Sequence, residues 1–176
     1  MRNTAFLGTG FLLLILQAQA HRILGHVPIA GITPSLVLPL IVFTGVHEYS
    51  VARGAALAFV LGYVLDLFAG APVGLFTFVS VAIFVLARAA GVRLAAQTLL
   101  TQLALAFVFA LVQGVMVVVL LAIFRDAKTM YPVRALLPLI LPQALATALV
   151  SPLVFRLAER LHQATLGMPR PEATGR

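Results

Sequence analysis

Cysteine and tryptophan are absent from the chain, and only five acidic residues stand among its 176. The lack of cysteine excludes disulfide staples, a thiolate nucleophile and a sulfur-rich metal site together, and it leaves the redox compartment undetermined. Charge is scarce: 10% of residues are charged, against roughly 25% in soluble domains. What fills the space is apolar. Hydrophobic residues make up 62% of the chain and the mean hydropathy is +1.10, which excludes a water-soluble globule. Twelve lysines and arginines against five acids give a net charge of +7. They are scattered rather than clustered, so they form no footprint for nucleic acid and are read as membrane topology.

Uncharged stretches run over 3–21, 23–47, 54–87 with Asp66 as the single exception, 94–124 and 135–155. A spanning helix needs about 20 apolar residues. The stretch 54–87 would be about 51 Å long as one helix, well beyond a hydrocarbon core of about 30 Å. It divides at Gly70-Ala71-Pro72-Val73-Gly74, where a glycine can close one helix and a proline in the first turn can open the next. The expected fold is all-α and polytopic, with spans near 4–20, 33–46, 51–69, 72–89, 98–122 and 135–156. The second is the weakest, because Pro28, Pro34 and Pro39 break or kink a helix that contains them. Residues 1–160 form one transmembrane domain. Residues 161–176 form a short cytoplasmic tail, disordered in expectation because of Gly167, Pro169 and Pro171.

The first span also imitates a cleavable signal peptide, with Met1-Arg2-Asn3, an apolar run from Ala5 to Leu16, and Ala18-Gln19-Ala20. Retention is favoured, since a polytopic protein can use its first helix as its own insertion signal. With six spans and the N-terminus inside, Arg2, Arg53, Arg88, Arg93, Arg156, Arg160, Arg170 and Arg176 fall on the cytoplasmic side. Arg22, Arg125, Lys128 and Arg134 fall outside. This bias follows the positive-inside rule and puts both termini in the cytoplasm.

Asp66 is the one acid embedded in a span, and an intramembrane ionisable residue is costly enough to be a functional candidate by default. Near the C-terminal end of its helix it also opposes the macrodipole, so a local reason must keep it there. Its partners are restricted to Arg22, Arg125, Lys128, Arg134 or backbone N–H groups at the 70–74 turn. Three readings stand: Asp66 holds the turn by hydrogen bonding to the start of the fourth helix, it serves a ligand or proton, or it contacts a partner protein.

Gly54, Ala58, Gly62, Asp66 and Gly70 recur every fourth residue and form a ridge of small groups; with Pro72 and Gly74 of the turn they are candidates for helix packing or partner contact. Such ridges let transmembrane backbones approach closely, either within the chain or toward a partner. In the sixth span Gln143, Thr147 and Ser151 form a polar stripe among Pro138, Pro142 and Pro152. Gln102 and Gln113, three turns apart, face one way on the fifth. These groups join helices or line a small pocket.

Enzyme readings fare poorly. His47-Glu48 has Val51 where a helical zinc site needs its second histidine. His21 and His26 lie on the opposite side from His47 in this topology. No Gly-x-Ser-x-Gly elbow or lysine-bearing phosphate loop occurs, and no carboxylate pair falls within one membrane leaflet. No cofactor is implied.

The segment Gly62-Tyr63-Val64-Leu65-Asp66-Leu67-Phe68-Ala69-Gly70-Ala71-Pro72-Val73-Gly74-Leu75 resembles the hallmark hairpin of the MreD family of rod shape-determining membrane proteins. Pro39-Leu40-Ile41-Val42-Phe43 and Leu149-Val150-Ser151-Pro152-Leu153-Val154-Phe155 are similar too. The resemblance implies a non-enzymatic scaffold in the bacterial inner membrane, part of the elongation machinery that makes lateral peptidoglycan. Its implied partner is MreC and, through it, MreB, RodA and a class B penicillin-binding protein. It also implies a six-helix bundle like that of the substrate-binding membrane subunits of energy-coupling-factor vitamin transporters. The rival function is therefore such a transporter subunit.

The orientation is open to direct test. An alkaline phosphatase fused after Arg176 is expected to be inactive while the fusion stays intact; strong phosphatase activity would reverse the topology.

Overall fold

The computed structural model describes residues 2–24, 33–47, 50–69, 72–90, 98–124 and 136–166. Among them the chain forms six α-helices: α1 (Arg2–Leu24), α2 (Val37–His47), α3 (Val51–Ala69), α4 (Leu75–Ala89), α5 (Leu99–Phe124) and α6 (Leu137–Leu166). Arg125, Lys128 and Arg134, expected among the partners of Asp66, lie outside the described residues, as do Gly70, Ala71 and residues 167–176 of the expected tail. Three helices, α3, α5 and α6, are long and apolar enough to cross a membrane. The expected count of six full spans does not follow, because α2 has 11 residues and α4 has 15, too few for a crossing of about 20.

α2 is the axis of the bundle. Val37 through Val46 are all buried, and the helix touches each of the other five. A helix that is apolar all round is stable only where neighbours cover it all round. Pro39 falls in the first turn, where its missing N–H has no intrahelical acceptor to lose, so this proline starts the helix without kinking it. Gly45 lets α4 come close: a Cβ there would stand 2.9 Å from Ala87 Cβ and 3.0 Å from the Phe84 carbonyl oxygen.

Around this axis α3 pairs with α4 and α5 with α6. α5 is apolar on every side, yet only Ala106, Phe109 and Ala110 are buried. Val108, Val115, Val119 and Ile123 point outward, an arrangement suited to lipid and not to water.

α6 contains Pro142 and Pro152. Pro152 cannot donate to the Ala148 carbonyl four residues back, and the Ser151 hydroxyl donates to that oxygen instead, at 2.7 Å. The Thr147 hydroxyl donates likewise to the Gln143 carbonyl at 2.7 Å. The helix runs on to Leu166, so residues 161–166 continue it where the sequence suggests the start of a tail. Buried Ala158 and half-buried Leu161 keep this extension against the bundle.

Two glycines separate packing from propensity. Gly45→Ala is expected to lower stability by about 1–3 kcal/mol, because its methyl group meets the α4 backbone. Gly8→Ala, where a Cβ meets nothing within 4 Å, is expected to leave stability unchanged or raise it by up to about 1 kcal/mol. Thermal unfolding of the purified variants in one detergent checks both.

Candidate functional site: the Asp66 hairpin and an amide-lined cavity

α4 opens with a conformational problem. Gly74 caps it in the left-handed region, with φ of 100° and no side chain to accept the first N–H groups. Because of this kink the helix starts at Leu75, not at residue 72 as the proline suggests. The turn before it is closed by the Leu75 N–H donating to the Pro72 carbonyl at 3.1 Å.

Asp66 supplies the missing cap from the neighbouring helix. Its Oδ2 accepts the N–H groups of Gly74 and Thr77, each at 3.0 Å, and the Thr77 hydroxyl at 2.6 Å. Its Oδ1 accepts the Phe76 N–H at 2.7 Å. Phe76 and Thr77 are the second and third residues of α4, whose N–H groups an ordinary N-cap side chain would take. The carboxylate therefore sits at the positive end of the α4 dipole, which offsets its unfavourable place near the negative end of α3. The residue is 2% exposed, so its charge is satisfied by these four donors rather than by water.

The small-residue ridge makes this reach possible. A Cβ on Gly62 would lie 2.7 Å from Thr77 Cα and 2.8 Å from the Phe76 carbonyl oxygen. Gly54 faces the ring of Phe84, and Ala58 is fully buried. At Gly54 and Gly62 it is α4 of the same chain that lies against the ridge. Pro72 and Gly74 are exposed at the turn.

A cavity of about 500 Å³ lies beside the hairpin, where the C-terminal parts of α1 and α3 meet the start of α2. Gln113 and Gln143 line it together with Gln17. Thr147 and Ser151 are fully buried behind them. Thr147 Oγ1 accepts the Ser35 N–H at 3.0 Å, and Gln17 Oε1 accepts the Leu36 N–H at 2.9 Å. The entrance to α2 is thus fastened by side chains of α6 and α1. Gln102 lies three turns from Gln113 and does not line the cavity. Gln17 is masked in the sequence by the Ala18-Gln19-Ala20 signature of a cleavage site beside it. The signal for it is an amide inside an otherwise apolar span.

At the opposite end of α2 the Phe43 ring stacks on His47 with centroids 4.1 Å apart and meets His162 edge-on at 6.2 Å. His162, which no sequence motif marks, joins α6 to this cluster. Among the described residues no three histidines, cysteines or acids gather as a metal site.

The cap geometry sets an order for substitutions at Asp66. Asp66→Ala strands four donors in an apolar setting and is expected to cost about 3 kcal/mol or more. Asp66→Asn keeps one acceptor but turns an NH₂ toward a backbone N–H, and is expected to cost about 1–2 kcal/mol. Thermal unfolding and the amount of protein in the membrane are the measurements. Wild-type stability in the alanine variant would remove the carboxylate from the hairpin.

The family model described as "rod shape-determining protein MreD" matches residues 1–161. Comparison with curated proteins finds no match, and neither does comparison with solved structures. The matched range contains α1 to α5 whole and α6 to within its last turns, including the hairpin with its aspartate cap. On that coverage the chain belongs to the MreD family of rod shape-determining membrane proteins, a structural family not known for enzymes.

Proposed function

We propose that this chain is a non-enzymatic scaffold subunit of the cell-elongation complex, a multi-pass protein of the bacterial inner membrane with both termini in the cytoplasm. In this reading it binds MreC and, through it, MreB, RodA and a class B penicillin-binding protein during lateral peptidoglycan synthesis. Family membership supports a role in rod shape. The observation that carries the scaffold reading is how Asp66 is used. The one acid within the α3 span is committed to holding two helices together, which leaves broad apolar helix faces for lipid and for partner helices. α5 is the strongest candidate for such contact, being long, apolar and little buried by its own chain.

The alternative, a substrate-binding subunit of a vitamin-type transporter, is favoured by one observation, the amide-lined cavity. Co-purification separates the two readings. Stoichiometric recovery of MreC supports the scaffold, and a vitamin-like molecule retained through purification supports the transporter.

Depletion in a rod-shaped host is expected to produce rounded cells and loss of dispersed wall synthesis, scored by microscopy with a fluorescent cell-wall label. Normal rods after full depletion would overturn the elongation role.

A further inference from the structure

Three carboxamides converge on the cavity, from α1 (Gln17), α5 (Gln113) and α6 (Gln143). Gln17 spends its oxygen on the Leu36 N–H and keeps its NH₂ group. The Gln113 and Gln143 amides bond to no other described residue. Each primary amide offers two donors and one acceptor, and in a membrane interior such groups need partners. Leu14, Phe68 and Phe76 form apolar wall opposite them.

Among the described residues the lining carries no charge, and this discriminates among ligands. None of the described residues around the cavity is ionisable. The carboxylate nearest in sequence, Asp66, has its oxygens occupied by α4. An ion entering here would lose its hydration without gaining a counter-charge, which is prohibitive in an apolar surrounding. A neutral group that both donates and accepts hydrogen bonds matches the amides, and an aliphatic chain matches the wall. The volume, about 500 Å³, lies within the usual range of small-molecule sites, about 300–1,000 Å³.

We propose that this cavity binds an uncharged amphiphile with a hydroxyl- or amide-bearing head group such as a sugar, held by Gln17, Gln113 and Gln143, and that it rejects anionic and zwitterionic head groups. The site goes beyond the assembly role and does not depend on it. Rod morphology tests that role, whereas ligand selectivity is read on the isolated protein.

The test uses the full chain in nanodiscs of phosphatidylethanolamine and phosphatidylglycerol, prepared without glycoside detergent. An alkyl glucoside carrying a diazirine in its chain is photolysed with the protein, beside an alkyl phosphocholine with the same chain. The glucoside is expected to label the peptides holding Leu14, Phe68 and Phe76, and the phosphocholine only outward-facing helix surfaces. Octyl glucoside is expected to compete while free glucose does not. Gln113→Leu with Gln143→Leu is expected to lower cavity labelling about tenfold, since two hydrogen bonds are lost. Val119→Ala, on the outer face of α5, is expected to leave it unchanged. Equal cavity labelling by the phosphocholine probe would overturn the proposal, as would undiminished labelling of the double variant. Competition by free glucose would overturn the amphiphile in favour of a water-soluble ligand. If the double variant fails to assemble, the two-probe comparison on the unaltered protein decides.

Discussion

The N–H groups that open α4 have no acceptor inside their own helix, and a buried donor left without a partner is costly. Gly74, in its left-handed conformation, offers them no side chain. Everything near this point is arranged so that Asp66 can do so from the next helix. The missing side chain at Gly62 brings α3 onto the α4 backbone, the rings and methyls above it follow Gly54 and Ala58, and the carboxylate arrives among its four donors. Once α4 is fixed, Gly45 lays α2 against it, and α2 in turn is the surface on which the remaining helices meet.

The same accounting of polar groups governs the rest of the bundle. Ser35 and Leu36 open α2, and their N–H groups are taken by Thr147 and Gln17. The carbonyl left without a donor by Pro152 is taken by Ser151. In each case a buried backbone group that regular helix geometry leaves unpaired finds a side chain, as a low-dielectric interior requires. Polar residues in the spans are mostly repairs to the helices. The cavity glutamines differ, because Gln113 and Gln143 repair nothing among the described residues.

How much of this was legible in the sequence depended on whether the signal was local. Charge spacing and the length of 54–87 place six helical segments in the right order, because apolar runs and breakers act on neighbouring residues. The start of α4 is misplaced by Pro72, since the left-handed Gly74 is a turn property that glycine permits but does not dictate. The span expected at 33–46 proves to be a helix over Val37–His47, because Ser35 and Leu36 bond to side chains remote in sequence. The stripe Gln143, Thr147, Ser151 is visible as a pattern, yet its division into one cavity residue and two backbone partners rests on tertiary contacts. That Asp66 reaches the start of the fourth helix stands among the readings available beforehand, because hairpin length alone brings them together. Gln17 is visible as an amide inside an apolar span, whereas the place of His162 emerges only when α6 is seen against α2.

The fastening of α2 by Thr147 has a temporal side. The N–H of Ser35 waits for a hydroxyl 112 residues further along the chain, so the innermost helix is made early and completed last. While the ribosome is still producing α5, the entrance to α2 has an unpaired donor and an open flank. For a small protein of this kind, the C-terminal span acts as the bolt on a core synthesised long before it.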